Sequence, residues 1–426
     1  MNWATKTDFY EITMLQAALD SGMANKKATF ELFTRSLPEG RGYGVVAGVS
    51  RAIDAVMNFC FSDDDLNFLA MQPNIKQSTI DFLKDYRFSG SIYSYRDGDV
   101  YFPYSPIMRV EGTFAEAVLL ETVLLSIMNH DSAIASAASR MSHVRNGFRQ
   151  KVSLIEMGSR RTHEDSAVSA ALAAYIAGFD ATSNIEAAKL YGIPLRGTSA
   201  HAFTLLHENE KDAFRHQVDS LGVDTSLLVD TYDTKTGINN AIEVAGVGLG
   251  GIRIDSGNPV VESFKARLQL DELGAYGTRI ILSSDMDEYS IKELVDAYAP
   301  IDAIGVGTRL VTGSGAPTAS MVYKLVEVED DNGNMKPVAK KSSGKSSIGG
   351  SKFPYREYSN GKISGEFFSD SPEKSNIQVQ FISRGLKIST YSPQDSRDFH
   401  KLVMNTLPDG ITQLISTSTM KAVKND

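Results

Sequence analysis

Arginine, histidine and carboxylate side chains recur at one kind of place in this sequence: the polar residues that follow a short apolar run. The most informative case is Arg196 to Leu206. Leu190 to Leu195 reads as a strand, Gly197 permits a tight turn, Thr198 and Ser199 can cap, and Phe203, Leu205 and Leu206 begin a helical face. His201 therefore stands at a strand–turn–helix junction, where free helix N–H groups favour an anion. A histidine in a first helical turn that bonds only locally fits the same pattern, and both readings stand.

The pattern repeats. Six apolar runs, at 152–161, 192–198, 226–233, 251–257, 279–285 and 301–308, each end in polar or glycine residues. Their ends collect Glu156, Arg160, Arg161, His201, Asp230, Asp233, Arg253, Asp255, Ser284, Asp285 and the turn Gly305-Val306-Gly307-Thr308. One Asp in such a place is as readily a helix cap. Six in series point to a site at the carboxyl ends of parallel strands. The set offers arginines and a Gly-rich turn for phosphates, carboxylates for hydroxyls or a divalent metal, and a histidine for proton or phosphoryl transfer. There is neither a Walker lysine motif nor a Gly-x-Gly-x-x-Gly fingerprint, so a P-loop kinase and a dinucleotide dehydrogenase are both unsupported.

Spacings of roughly 25 to 40 residues per unit predict an α/β fold, either an irregular barrel of parallel strands wrapped by helices or a doubly wound sheet. Before it, Lys6 to Gly22 reads as an amphipathic helix, Ala28 to Thr34 as a strand, Gly48 to Phe59 and Phe61 to Arg87 as helical, and Ser91 to Tyr104 as a hairpin turning at Asp97-Gly98. Thr113 to His143 reads as long helices. Three domains are expected: an α+β segment at 1–112, the barrel-like core at 113–328, and a small C-terminal domain at 329–426. The last opens with a basic Gly-rich loop, Lys340 to Lys352, which reads either as a solvated connector or as a lid whose lysines close on an anion.

Composition narrows the class. The chain has 426 residues, 42% of them hydrophobic, enough for one large core and a smaller domain. A single cysteine, Cys60, rules out an internal disulfide framework, and a net charge of −9 argues against non-specific nucleic-acid binding. No apolar run nears the ~20 residues of a membrane span, and the N-terminus lacks the pattern of a signal peptide, so a cytoplasmic setting is expected.

Taken in order, Thr7 to Tyr10, Phe30 to Phe33 with Arg35, Leu37 to Tyr43, Gly197 to His201, Asp230 to Asp233, Arg253 to Gly257 and Gly305 to Thr308 resemble nicotinate phosphoribosyltransferase, of the type II phosphoribosyltransferase fold, over most of the chain. The resemblance implies that nicotinate and 5-phosphoribosyl 1-pyrophosphate give nicotinate mononucleotide and pyrophosphate in NAD biosynthesis, with Mg2+ as cofactor and ATP hydrolysis coupled to the step. It also implies a homodimer with a shared active site. Residue by residue, Tyr10 resembles the aromatic that stacks on the pyridine ring from a neighbouring subunit, and Met157, Arg160, Thr198 and Arg253 the remainder of the nicotinate pocket. Asp255 and Asp285 match positions near the ribose hydroxyls, and Ser284, Gly305, Gly307 and Thr308 those around the 5′-phosphate. Asp230 belongs to the same phosphate-binding group, while Arg35, Lys341, Lys345 and Lys352 resemble the basic set that meets pyrophosphate. His201 matches the phosphohistidine, with Asp255 and Arg253 as its catalytic companions. Two positions depart from the common pattern: Met157 stands where many members have Phe, and Asn258 where many have Asp, which leaves no assured metal ligand. The alternatives are a nicotinamide phosphoribosyltransferase, suggested by Asp255 to Pro259 and Asp180, and a catalytically silent nucleotide-binding regulator of the same fold.

Overall fold

A largely antiparallel sheet and a wholly parallel one are built from different parts of the chain in the computed structural model, which describes residues 3–340, 347–374, 377–416 and 418–424. The chain forms two units, Met1–Ser136 with Ala316–Asp426, and Ala137–Gly315.

In the first unit a seven-stranded sheet is built around Lys27–Thr34, which pairs antiparallel with Met321–Glu329 on one side and Met108–Thr113 on the other. Every residue from Ala28 to Thr34 is buried, and Phe30 stacks on Tyr323 with centroids 4.8 Å apart. The units do not follow the expected boundaries at 112 and 328, because the late strands Met321–Glu329 and Val379–Ser383 complete this early sheet, the latter by pairing with Ser91–Ser94. The C-terminal residues thus contribute to this sheet, and Phe353–Ser359, Lys362–Ser369 and Val423–Lys424 form a three-stranded sheet of their own.

The hairpin expected around Asp97-Gly98 is also absent. Ser91–Ser94 pairs with Met108–Thr113, whereas Val100–Tyr101 pairs with Gly44–Val45 in a different sheet. The turn itself forms, with Asp99 N donating to Arg96 O (3.1 Å), while the buried Asp97 carboxylate accepts from Val49 N (2.8 Å) and Ser50 N (3.0 Å) at the start of the helix Val49–Met57.

The second unit is a sheet of six parallel strands. In spatial order they are Ala181–Thr182, Ser153–Glu156, Ala303–Val306, Arg279–Leu282, Gly251–Ile254 and Ser226–Leu228. Five of the six runs picked out by pattern are these strands. The sixth, 192–198, is not a strand: Leu195 makes only an isolated bridge to Thr182, and the two-residue strand Ala181–Thr182 takes its place. Backbone hydrogen bonds do not join the two edge strands, but the His201 ring is 3.1 Å from Thr231 Oγ1 and links the segments that follow them. The parallel sheet with its crossover helices is the α/β core that the spacing predicts.

Crossover helices start at capped polar residues: Asn184, Asn209, Asp233, Asn258 and Asp287 each accept a backbone N–H of the first turn. Pro259 follows Asn258 at a position where a missing N–H costs nothing. No helix among the described residues is long and apolar enough to cross a membrane.

Candidate active site

Parallel pairing brings the strand ends into register, Val306 opposite Glu156 and Leu282 opposite Ile254, so the residues just beyond them meet. They enclose a cavity of about 390 Å3 lined by Met157, Arg160, Arg161, Arg253, Asp255, Ser283, Ser284, Asp285, Gly305, Gly307 and Thr308. Three arginines face two carboxylates there, so the lining carries an excess of positive charge. That balance suits ligands with carboxylate or phosphate groups.

Gly305 makes the cavity possible. A Cβ at this position would lie 2.5 Å from Met157 Sδ and 3.1 Å from Ser283 Cβ. The absent side chain lets the methionine lie over the strand, where a flexible thioether can pack against a flat ring.

Arg253 is almost wholly buried. Its Nε donates to Ser283 Oγ (2.5 Å), and its terminal nitrogens make only long contacts: Nη1 with Thr198 Oγ1 (3.5 Å) and Ser199 O (3.4 Å), Nη2 with Asp255 Oδ1 (3.3 Å). Ser283 Oγ in turn donates to Asp255 Oδ1 at 2.7 Å.

A second group lies behind Asp255. The Asp230 side chain is 1% exposed; its Oδ2 accepts from Asp255 N (2.7 Å) and Ser256 Oγ (2.7 Å). Its Oδ1 has no hydrogen-bond partner and faces His201 Nε2 at 3.8 Å. The histidine side chain itself is 39% exposed. One carboxylate therefore touches the loop that carries Asp255 and also confronts the imidazole.

Two family models match the chain, the nicotinate phosphoribosyltransferase (NAPRTase) N-terminal domain over residues 5–129 and the NAPRTase family over 152–381. The chain belongs to the nicotinate phosphoribosyltransferase family. Nicotinate phosphoribosyltransferase pncB1 of Mycobacterium tuberculosis is 55% identical over 354 residues, spanning 81% of this chain and 76% of that protein. The nicotinate phosphoribosyltransferase of Bacillus subtilis is 42% identical over 383 residues, spanning 87% and 77%. In fold, the chain is similar to human nicotinic acid phosphoribosyltransferase, with a TM-score of 0.82 at 22% identity over 98% of both chains.

Within this family member, the cavity brings together Met157, Arg160, Arg253, Asp255, Ser284, Asp285, Gly305, Gly307 and Thr308 as expected. Thr198 stands beside Arg253. Other expectations change. Asp230 is buried and does not line the cavity; its carboxylate meets Asp255 N, Ser256 Oγ and the His201 ring. Asp233 is the cap of Thr234–Ala245, with its carboxyl held below the usual range by the Thr236 hydroxyl and N–H. Asn258 caps Pro259–Glu272, so its departure from Asp leaves the helix start intact. Glu156 is buried, accepts from Thr182 Oγ1 (2.5 Å) and Gly158 N, and burial raises its carboxyl pKa; it does not line the cavity.

Tyr10, Arg35 and Lys352 belong to the first unit. Tyr10 is 44% exposed, and its phenol is pushed up to about 12, by burial of the hydroxyl and then by Glu121, Glu11 and Asp8. Arg35 lies over the Phe33 ring at 5.6 Å. Lys352 is buried, with Nζ donating to Glu31 Oε2 (2.6 Å) and Gly350 O (2.9 Å), so its charge is already matched. Lys341 and Lys345 lie outside the described residues. Asp180 stands at the amino ends of the strands, accepting from Leu154 N (2.9 Å) and Arg145 Nη1 (2.9 Å), away from the cavity at their carboxyl ends.

Ser283, Thr231 and Ser256 were not among the expected site residues. The signal for Ser283 was its position immediately after the apolar run 279–282. Serine carries no charge, and only its contacts with Arg253 and Asp255 mark it.

Proposed function

We propose that this chain is a cytoplasmic salvage enzyme that joins nicotinate to 5-phosphoribosyl 1-pyrophosphate, forming nicotinate mononucleotide and pyrophosphate. The observation that carries the reading is the cavity in which Arg160 and Arg253 oppose Asp255 and Asp285 around a bare Gly305-to-Gly307 turn. Arg253 presents under-bonded terminal N–H groups to a carboxylate, a charge-assisted bond that a carboxamide cannot match. The pyridine nitrogen attacks C1′ with its lone pair, and the C1′–O bond electrons leave with pyrophosphate. No proton is removed from the base, so the protein's task is orientation and charge stabilisation. Asp255 suits the ribose hydroxyls and the cationic character that develops at the sugar, and the Gly307–Thr308 backbone suits the 5′-phosphate.

Among the described residues, no cluster of three or more His, Cys, Asp or Glu could hold a metal alone. Asp255 and Asp285, the two carboxylates of the cavity, would hold Mg2+ that arrives with its phosphates. When bound, Mg2+ would offset charge on the leaving pyrophosphate.

His201 is the proposed acceptor of the ATP γ-phosphoryl group. Support comes from its exposure, its Thr231 contact and the unpartnered Asp230 Oδ1 at 3.8 Å, which can hold the ring in one orientation. The same Asp230 reaches Asp255 N, so the charge on His201 is coupled to the sugar-binding loop. Tyr10 is proposed to stack on nicotinate in the site of a second subunit. The position of Asp180 favours nicotinate over nicotinamide as the base.

The test is turnover of each base with phosphoribosyl pyrophosphate, with and without ATP, by wild type and His201→Asn. Nicotinate should be strongly preferred. The variant should lose ATP hydrolysis and the acid-labile phosphoprotein while retaining slow ATP-independent transfer. Equal use of nicotinamide, or undiminished coupled hydrolysis by the variant, refutes the reading. Mixed Tyr10→Ala and Asp255→Ala subunits should recover part of the activity; no recovery despite exchange refutes the shared site.

A further inference from the structure

The contacts of Arg253 contain an imbalance. Its guanidinium and the Asp255 carboxylate approach within 3.3 Å, yet they do not form the two parallel bonds that this pair adopts when unobstructed. Ser283 stands between them. Its Oγ accepts from Arg253 Nε at 2.5 Å and donates to Asp255 Oδ1 at 2.7 Å, filling the role that each charged group would otherwise take for the other. Its position is fixed by the backbone, since Ser283 N donates to Ile254 O (3.0 Å) and extends the ladder beside the strand carrying Arg253. Gly305 leaves the space it occupies, for a Cβ there would come within 3.1 Å of the serine Cβ.

We infer that Ser283 is a positioning residue that holds Arg253 and Asp255 apart, and thereby sets the preference for an anionic over a neutral pyridine. While the hydroxyl is present, both terminal nitrogens of Arg253 keep donors for an incoming carboxylate, and Asp255 stays turned to the sugar. Without it, Nε and Nη2 close on Asp255 as a bidentate pair, and the site's positive charge is cancelled internally. A neutral carboxamide loses little by that change; a carboxylate loses its counter-charge.

The inference rests on the proposed base, and the test separates the two. Nicotinate and nicotinamide are compared as substrates of full-length wild type, Ser283→Ala and Ser283→Thr, with melting temperatures checked. Nicotinate binding is measured in parallel by calorimetry. Ser283→Ala should raise the nicotinate KM, and the Kd with it, by about tenfold, in line with loss of a charge-assisted hydrogen bond. The change in kcat should be smaller, and the nicotinate-to-nicotinamide ratio of kcat/KM should fall by a similar factor. Ser283→Thr, which keeps Oγ, should restore both. If Ser283→Ala does not fold, Ser283→Cys provides the same comparison with a poorer donor and acceptor. An unchanged ratio and Kd in a folded Ser283→Ala overturns the inference while leaving the reaction standing. A threonine variant as impaired as alanine but equally stable overturns it as well. Wild type that turns over neither base refutes the reaction itself, and calorimetry still reads the effect of the hydroxyl.

Discussion

Replacing Lys352 by methionine separates two roles for one residue, closing on pyrophosphate or holding the sheet together. The geometry favours the second. Side chains of Lys352 and Glu31 are 6% and 1% exposed, the Nζ–Oε2 distance is 2.6 Å, and Lys352 N also donates to Glu31 Oε1 at 3.0 Å. Removing one partner of a buried pair strands the other, at a cost of about 3–5 kcal/mol. Urea unfolding of the first unit's transition should register that loss. Burial already raises the Glu31 carboxyl pKa, with Lys352 the chief opposing influence, so the variant's carboxyl must rise further. A raised folded-state pKa gives stability that is present at low pH and lost as pH rises. The deficit of Lys352→Met should therefore narrow as pH falls towards about 4, where Glu31 is protonated in the unfolded chain too. Adding Glu31→Gln, whose amide oxygen still accepts from Lys352 N, should recover at least half of the loss at neutral pH. A variant of unchanged stability whose KM for phosphoribosyl pyrophosphate rises steeply refutes the anchoring role and restores the phosphate-binding one.

Asn258→Ala should cost about 1 kcal/mol of stability through loss of the cap on Pro259–Glu272, whereas Asn258→Asp should match wild type; equal losses in a thermal melt would show that capping is not its role. His400, buried with Nδ1 2.8 Å from Gly98 O, has its pKa lowered to about 4, mainly by burial. A depressed histidine binds its proton more readily when unfolded, so stability should fall as pH drops from about 6.5 to 4, by roughly 3 kcal/mol in all. Urea midpoints across that window check it, and His400→Gln should flatten the slope.

Strand ends were legible because a buried parallel strand needs an apolar run and a crossover needs a polar start, both written locally. Arg253, Asp255 and Gly305 could be placed in this way, whereas Met157 was singled out only by the family resemblance. What failed were choices made by distant partners. Asp97 does sit in a turn, but the strands on either side pair with distant segments, Asp233 and Asp230 share one motif yet one caps a helix and the other is buried behind Asp255, and Lys352 looks like part of a basic loop until Glu31 is found opposite. Ala181–Thr182 is too short for periodicity to show. Ser283 has no charge to draw attention, and its importance arises from two neighbours contributed by another strand.

Synthesis meets the central strand of the first unit long before its partner. Thr34 pairs with Met321, roughly 290 residues later in the chain, so at about 5–20 residues per second the ribosome adds that partner some 15–60 s afterwards. Meanwhile Ala137–Gly315, uninterrupted in sequence, can collapse on its own as it emerges. Lys27–Thr34, with Phe30, Leu32 and Phe33, waits as an edge whose second side is unfilled. The connectivity is thus inside out relative to the sequence: every residue of the inserted middle is made before Met321–Glu329, the strand that the N-terminal sheet needs on its open side.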